Sequence, residues 1–195
     1  HKNQNIMYEF LKLLFPINRS ITGEGVRETL RLIKEHIPIE IKSVPSGTKV
    51  QDWEVPNEWN ISEAYIENKN GDRIIDFKNN NLHVVGYSIP VNKVIKYDDL
   101  VKHLYFIEDQ PDAIPYVTSY FTEKWGFCMS YNDFKKLKKE DYKVVIKSEL
   151  KEGVLNYGEL IIKGKSKKEV FFSTYVCHPS MANNELSGPV VQTWI

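Results

Sequence analysis

Near the end of the chain, Val170-Phe171-Phe172-Ser173-Thr174-Tyr175-Val176 is apolar almost throughout and runs straight into Cys177-His178-Pro179-Ser180. A strand with one wet face alternates apolar and polar residues, whereas an unbroken apolar run of this length fits a strand covered on both faces of an α/β sheet. Pro179 takes the chain out of that strand. Leu186-Ser187-Gly188-Pro189-Val190-Val191 then reads as the first turns of a helix that approaches the sheet closely on its small residues. Ligands of open α/β sheets sit at the carboxyl ends of strands, so His178 and the Asn184-Glu185 pair are expected to face one another at a site.

The rest of the chain supplies the elements such a sheet needs. Ile6, Met7, Phe10, Leu11, Leu13 and Leu14 recur at helical spacing and stop at Pro16, whose ring cannot continue a helix. Thr22 is the expected N-cap of a second helix that aligns Val26, Leu30, Ile33 and Ile37 and ends before Pro38. Ile39 to Val44 alternates by two and runs into the turn Pro45-Ser46-Gly47. From about Lys49 to Asp141 the texture changes to short apolar runs among Trp, Tyr, Asn and Asp. A hairpin is expected there, with Ala64–Glu67 and Arg73–Phe77 flanking Asn70-Gly71. Leu82 to Pro90 reads as a strand, and Asp98 or Asp99 as the cap of a short helix containing Leu100, His103 and Leu104. Three further strands are expected at Lys143–Ile146, Tyr157–Ile162 and Val170–Val176. The fold class is therefore α/β, with residues 1–48 and 142–195 forming a discontinuous core and residues 49–141 an inserted β-rich domain.

In 195 residues, 26 basic side chains cancel 26 acidic ones. Such a chain sets up no global field to attract nucleic acid or an anionic membrane. No apolar run is long enough to span a bilayer and the start has no secretory layout, so the reading is cytoplasmic. The two cysteines, Cys128 and Cys177, have neither disulfide-framework nor zinc-knuckle spacing and are expected to be buried, reduced thiols. His1 reads as the residue of a tag.

The segment Cys177 to Gly188 resembles the zinc-aminopeptidase signature, in which a histidine at a strand end is followed after a short loop by Ala-Asn-Asp-x-x-Ser-Gly. Thr174 to Asn183, Tyr157-Gly158-Glu159-Leu160 and Trp125-Gly126-Phe127-Cys128 are similar, more narrowly, to a bacterial aminopeptidase-like group often found in surface-polysaccharide gene clusters. The resemblance implies a three-layer aminopeptidase-like (phosphorylase/hydrolase-like) core with an inserted β-rich domain, zinc as the cofactor and a peptide or small-molecule substrate. It implies His178 as a zinc ligand and Asn184 at the position of the metal-bridging aspartate. An amide offers one neutral oxygen where a bridge needs an anionic carboxylate, so the resemblance also implies a weakened centre. The chain ends at Ile195, ahead of the region where the family places its general-base glutamate and remaining ligands. An inactive or incomplete aminopeptidase is the expectation, and a binding module with a degenerate metal site the alternative.

Competing readings of single residues are plainer. Ser187 and Gly188 lack the Gly-x-Ser-x-Gly frame of a nucleophile elbow and read as helix packing. Cys177 beside His178 is not read as a nucleophilic pair, because neighbours on a strand point to opposite faces. His83 and His103 read as hydrogen-bonded core or rim histidines. Trp53, Trp59, Tyr116, Tyr120 and Trp125 read as packing of a small β domain, and Lys135–Lys139 as a solvated face. A sheet missing its later strands exposes an edge, so a homo-oligomer is expected.

Overall fold

The computed structural model describes residues 2–195; His1, the presumed tag residue, lies outside them. In chain order the elements are α1 Lys2–Leu14, α2 Glu24–Lys34, β1 Glu40–Pro45, β2 Lys49–Val50, β3 Trp53–Glu54, β4 Glu58–Glu67, β5 Arg73–Asp76, β6 Val91–Lys96, α3 Tyr97–Leu100, β7 Leu104–Tyr105, β8 Phe127–Cys128, α4 Tyr131–Phe134, β9 Asp141–Lys151, β10 Val154–Glu159 and α5 Ser187–Trp194. Helices and strands are mixed, as an α/β class requires. The chain divides into two compact units, residues 1–58 with 152–195, and residues 59–151.

In the first unit the apolar faces of the helices meet. Phe10 and Leu14 of α1, Val26, Leu30 and Ile33 of α2, Ile39, Leu186 and Val190 of α5 form one buried cluster, with Val176 and Trp194 packed against it. The helix α2 begins at Gly23 and not, as expected, at a Thr22 cap; Gly23 has φ 96° and contributes no side-chain cap. A positive φ suits glycine, and Thr22 is buried. Gly25 lets α2 touch the preceding loop: a Cβ there would overlap the Asn18 carbonyl oxygen and stand 3.1 Å from Arg19 Cα.

Strand β1 pairs antiparallel with β10, from Glu40↔Glu159 to Pro45↔Val154. The last strand of this pair therefore lies earlier than the expected Tyr157–Ile162. Beyond Glu159 the ladder runs back toward Pro38, which has no N–H to offer, and Ile161 and Ile162 are exposed. The expected strand Val170–Val176 is also corrected. None of residues 160–179 carries strand structure, and Val170 and Phe171 are 82% and 87% exposed. An apolar run becomes a buried strand only when ladders flank it, and no described residue provides one. Its approach to the following helix does exist: a Cβ on Gly188 would overlap Thr174 Oγ1.

The second unit is built on a four-stranded sheet ordered β5-β4-β9-β6. The hairpin around Asn70-Gly71 is present, pairing Tyr65↔Asp76 and Ile66↔Ile75. Strand β9, expected as Lys143–Ile146 within the α/β core, pairs with β6 over Val91↔Ile146 to Lys96↔Asp141 and so belongs to this sheet. Val144, Val145 and Ile146 are all buried, as in an interior strand. Leu82–Pro90 is not a strand. It forms a single turn of 3-10 helix at Asn81–His83 and two isolated bridges, and Tyr87 at φ 65° breaks the extended run. Trp59 stacks on Tyr87 at 5.6 Å and Tyr87 meets Tyr120 edge-on at 5.2 Å, so these rings pack against one another. His83 Nδ1 lies 2.8 Å from the Cys128 carbonyl oxygen. His103 Nδ1 lies 3.1 Å from that of Trp125, on whose ring His103 stacks. Among the described residues no helix is long and apolar enough to cross a membrane.

Candidate metal centre

After Val176 the chain makes a tight turn through Cys177-His178-Pro179-Ser180, and Ser180 sits at φ 38°. The proline disfavours a helical conformation at His178, and a non-glycine residue at positive φ is held there only by its surroundings. Ser180 Oγ lies 3.2 Å from the Phe15 carbonyl oxygen, to which it donates. The next residues, Ala182–Leu186, form one π-helical turn that leads into α5. A wide turn of this kind is a frequent feature of functional sites.

That turn decides which member of the Asn184-Glu185 pair faces His178. Asn184 is exposed, whereas Glu185 is fully buried and its Oε1 accepts the His178 backbone N–H at 2.8 Å. Cys177 Sγ, a His178 ring nitrogen and a Glu185 carboxylate oxygen all lie within 4.8 Å of one another, the one such group of metal-binding side chains found among the described residues. Cys177 Sγ and His178 Nδ1 are 3.1 Å apart. The expectation that these neighbours point to opposite faces fails because the segment is a turn and not a strand. A thiol–imidazole nucleophile does not follow: burial, with the nearby Glu185 charge adding to it, pushes the Cys177 thiol up to about 12. It stays protonated at neutral pH, and the reactive form of cysteine is the thiolate.

A residue that sequence reasoning left unmarked completes the site. Arg19, 1% exposed, donates from Nε to the His178 carbonyl oxygen at 3.0 Å and from Nη1 to the Leu14 carbonyl oxygen at 2.7 Å. Burial lowers its guanidinium to about 10, against the Glu185 charge, which raises it; it is cationic at neutral pH. Burial also raises the Glu185 carboxyl above its ordinary range, opposed by the His178 N–H bond and the positive charges nearby. Arg19 sits in the polar loop between two helices, where nothing in the local pattern announces burial. For Glu185 the signal was the expected approach of the Asn184-Glu185 pair to His178, which left open which of the two turns inward.

The donor set fits one end of a zinc site. His178 is a ring-nitrogen ligand on a constrained turn, and Asn184 carries a neutral amide where the resemblance calls for a carboxylate. A catalytic zinc takes about three protein ligands and a water; Cys177 and Glu185 stand close enough to His178 to count among the donors, while Arg19 puts a positive charge beside them. Fold and site together define a mixed α/β protein with a half-buried histidine turn braced by the buried Arg19 and Glu185 side chains.

The chain belongs to the family described as a domain of unknown function, DUF4910, which matches residues 8–195. It is 52% identical over 189 residues to a Clostridium acetobutylicum protein provisionally named a polysaccharide biosynthesis protein with an aminopeptidase-like domain. That match covers 97% of this chain and 44% of the relative. It is also similar to the crystal structure, at 2.37 Å, of a protein provisionally called a peptidase from the same organism, with a TM-score of 0.95 and 51% identity over 97% of this chain and 45% of that one. The chain thus spans less than half the length of these relatives. It is a relative of proteins named for a peptidase-like domain and for polysaccharide biosynthesis.

Proposed function

We propose that this chain is the N-terminal part of an aminopeptidase-like metallohydrolase, with His178 as a zinc ligand and Asn184 at a weakened bridging position, and that by itself it is catalytically weak or inactive. The observation that carries the reading is the turn Cys177–Ser180, which holds one histidine between two buried charges next to an aminopeptidase-like signature. When bound, the metal would supply a polarised water for attack on a peptide carbonyl. What these residues contribute is narrower: Glu185 and Arg19 brace the backbone of His178, and Pro179 and Ser180 turn the chain toward Asn184. The same reading takes the core as a three-layer aminopeptidase-like fold and the β-rich residues 59–151 as a domain inserted into it. It gives a cytoplasmic protein with a peptide or small-molecule substrate, no nucleic-acid or membrane partner, and a role linked to surface-polysaccharide synthesis.

The neutral amide at Asn184 also favours a second reading, in which the metal centre is degenerate and the protein is a binding module. Zinc titration separates the two. Asn184→Asp is expected to tighten zinc binding roughly tenfold, about 1.4 kcal/mol, and His178→Ala to abolish it. If neither change alters zinc affinity measured by calorimetry, His178 is not a ligand and the binding-module reading stands.

We also propose that the chain self-associates through residues 161–172. Ile162, Val170 and Phe171 are each more than four-fifths exposed, and these apolar side chains, at the two ends of a Lys-rich loop, gain by covering one another on a second copy. Light scattering is expected to show mass rising with concentration, and Ile162→Lys with Phe171→Lys to return the chain to a monomer. A wild-type monomer at all concentrations would rule the surface out.

A further inference from the structure

Both backbone polar groups of His178 are held by buried ionisable side chains, Glu185 seven residues on and Arg19 from the loop after α1. Its N–H donates to Glu185 Oε1 at 2.8 Å, and its carbonyl oxygen accepts from Arg19 Nε at 3.0 Å. The guanidinium is fixed in turn by the end of α1 through the Leu14 carbonyl oxygen, 2.7 Å from Nη1, and by α2 through Thr29 Oγ1, 3.5 Å from the same nitrogen. Arg19 Nη2 and Glu185 Oε2 are buried and make no hydrogen bond. A turn that needed only closing would be held as well by neutral groups, without the cost of desolvating two charges. Charge-assisted hydrogen bonds are the stronger and more specific kind, and a functional side chain keeps its geometry only when the shell around its own anchor is held.

We infer that Arg19 and Glu185 are positioning residues that fix the backbone from which the His178 imidazole reaches a metal; the inference rests on the reading of His178 as a metal ligand. They bond to its backbone and act through it, coupling the end of α1 and the side of α2 to the ligand turn.

The experiment is zinc sulfate calorimetry on the chain and on three variants, together with NMR hydrogen exchange at the His178 amide. Arg19→Met with Glu185→Leu replaces both charges by apolar groups of similar bulk, a change that folded proteins often tolerate. It is expected to keep the wild-type circular dichroism, to lose roughly 10- to 100-fold in zinc affinity, and to exchange the His178 amide faster by about tenfold, the loss of one 1.4 kcal/mol increment of protection. Should that variant not fold, Glu185→Gln decides, since it keeps an acceptor for the amide but no charge. A several-fold loss of zinc affinity supports the inference, and wild-type affinity overturns it. If wild type and His178→Ala bind zinc alike, the metal reading fails by itself. The amide then judges the clamp: faster exchange supports it, and an unchanged rate refutes it.

Discussion

Glu185→Ala is expected to lower the unfolding free energy by about 1–3 kcal/mol, the usual cost of leaving a buried hydrogen-bonding group without its partner. Two losses combine. The His178 N–H, which Glu185 Oε1 accepts at 2.8 Å, is left without that acceptor, and the buried Arg19 guanidinium loses the nearest carboxylate that favours it, leaving Glu28. The surrounding atoms cannot swing outward to water, because Leu186 beside it and Leu14 opposite are both fully buried. Urea unfolding followed by Trp194 fluorescence is the measurement, since Trp194 packs on Phe10 at 5.3 Å in the same core. A loss below about 1 kcal/mol would mean that the Glu185–His178 hydrogen bond adds nothing net to stability. The paired Arg19→Met, Glu185→Leu change should recover most of the loss, because it removes both charges together.

Gly25→Ala is the second large effect, and its sign runs against helix propensity. Alanine in an exposed helix interior gains about 1 kcal/mol over glycine. Here the added Cβ would overlap the Asn18 carbonyl oxygen, lie 2.8 Å from the Asn18 carbonyl carbon and 3.1 Å from Arg19 Cα. These are backbone atoms, so relief requires the loop or the helix to move. Overpacking of that kind costs about 3 kcal/mol at the upper end of its usual range, which leaves a net destabilisation of about 2 kcal/mol. The loop that must move carries Arg19, so the same variant should also speed exchange of the His178 amide. An unchanged or raised urea midpoint would show that α2 and the loop adjust freely.

Much of the local structure was legible in the sequence because its causes are local. The helical spacing of Phe10 and Leu14, the stop at Pro16 and the Asn70-Gly71 hairpin each depend on a few neighbouring residues, and each is present. The expected strand at Leu82–Pro90 failed where a single left-handed residue, Tyr87, broke an apolar pattern. Strand β6 escaped notice because its exposed Asn92, Lys93 and Val94 resemble a loop until β9 pairs with them.

The candidate site divides along the same line. Sequence alone determined that a histidine follows an apolar run, that Pro179 ends the run, and that an amide stands at position 184, because these are matters of residue identity and short-range backbone geometry. Only the tertiary structure decided that residues 170–175 are exposed in this chain, that Glu185 and not Asn184 turns inward to the His178 backbone, and that Arg19, 159 residues away in the chain, closes the other side. Strand pairing and the burial of a charge are set by partners distant in sequence. A pattern read along the chain can propose such partners, but only packing in three dimensions chooses among them.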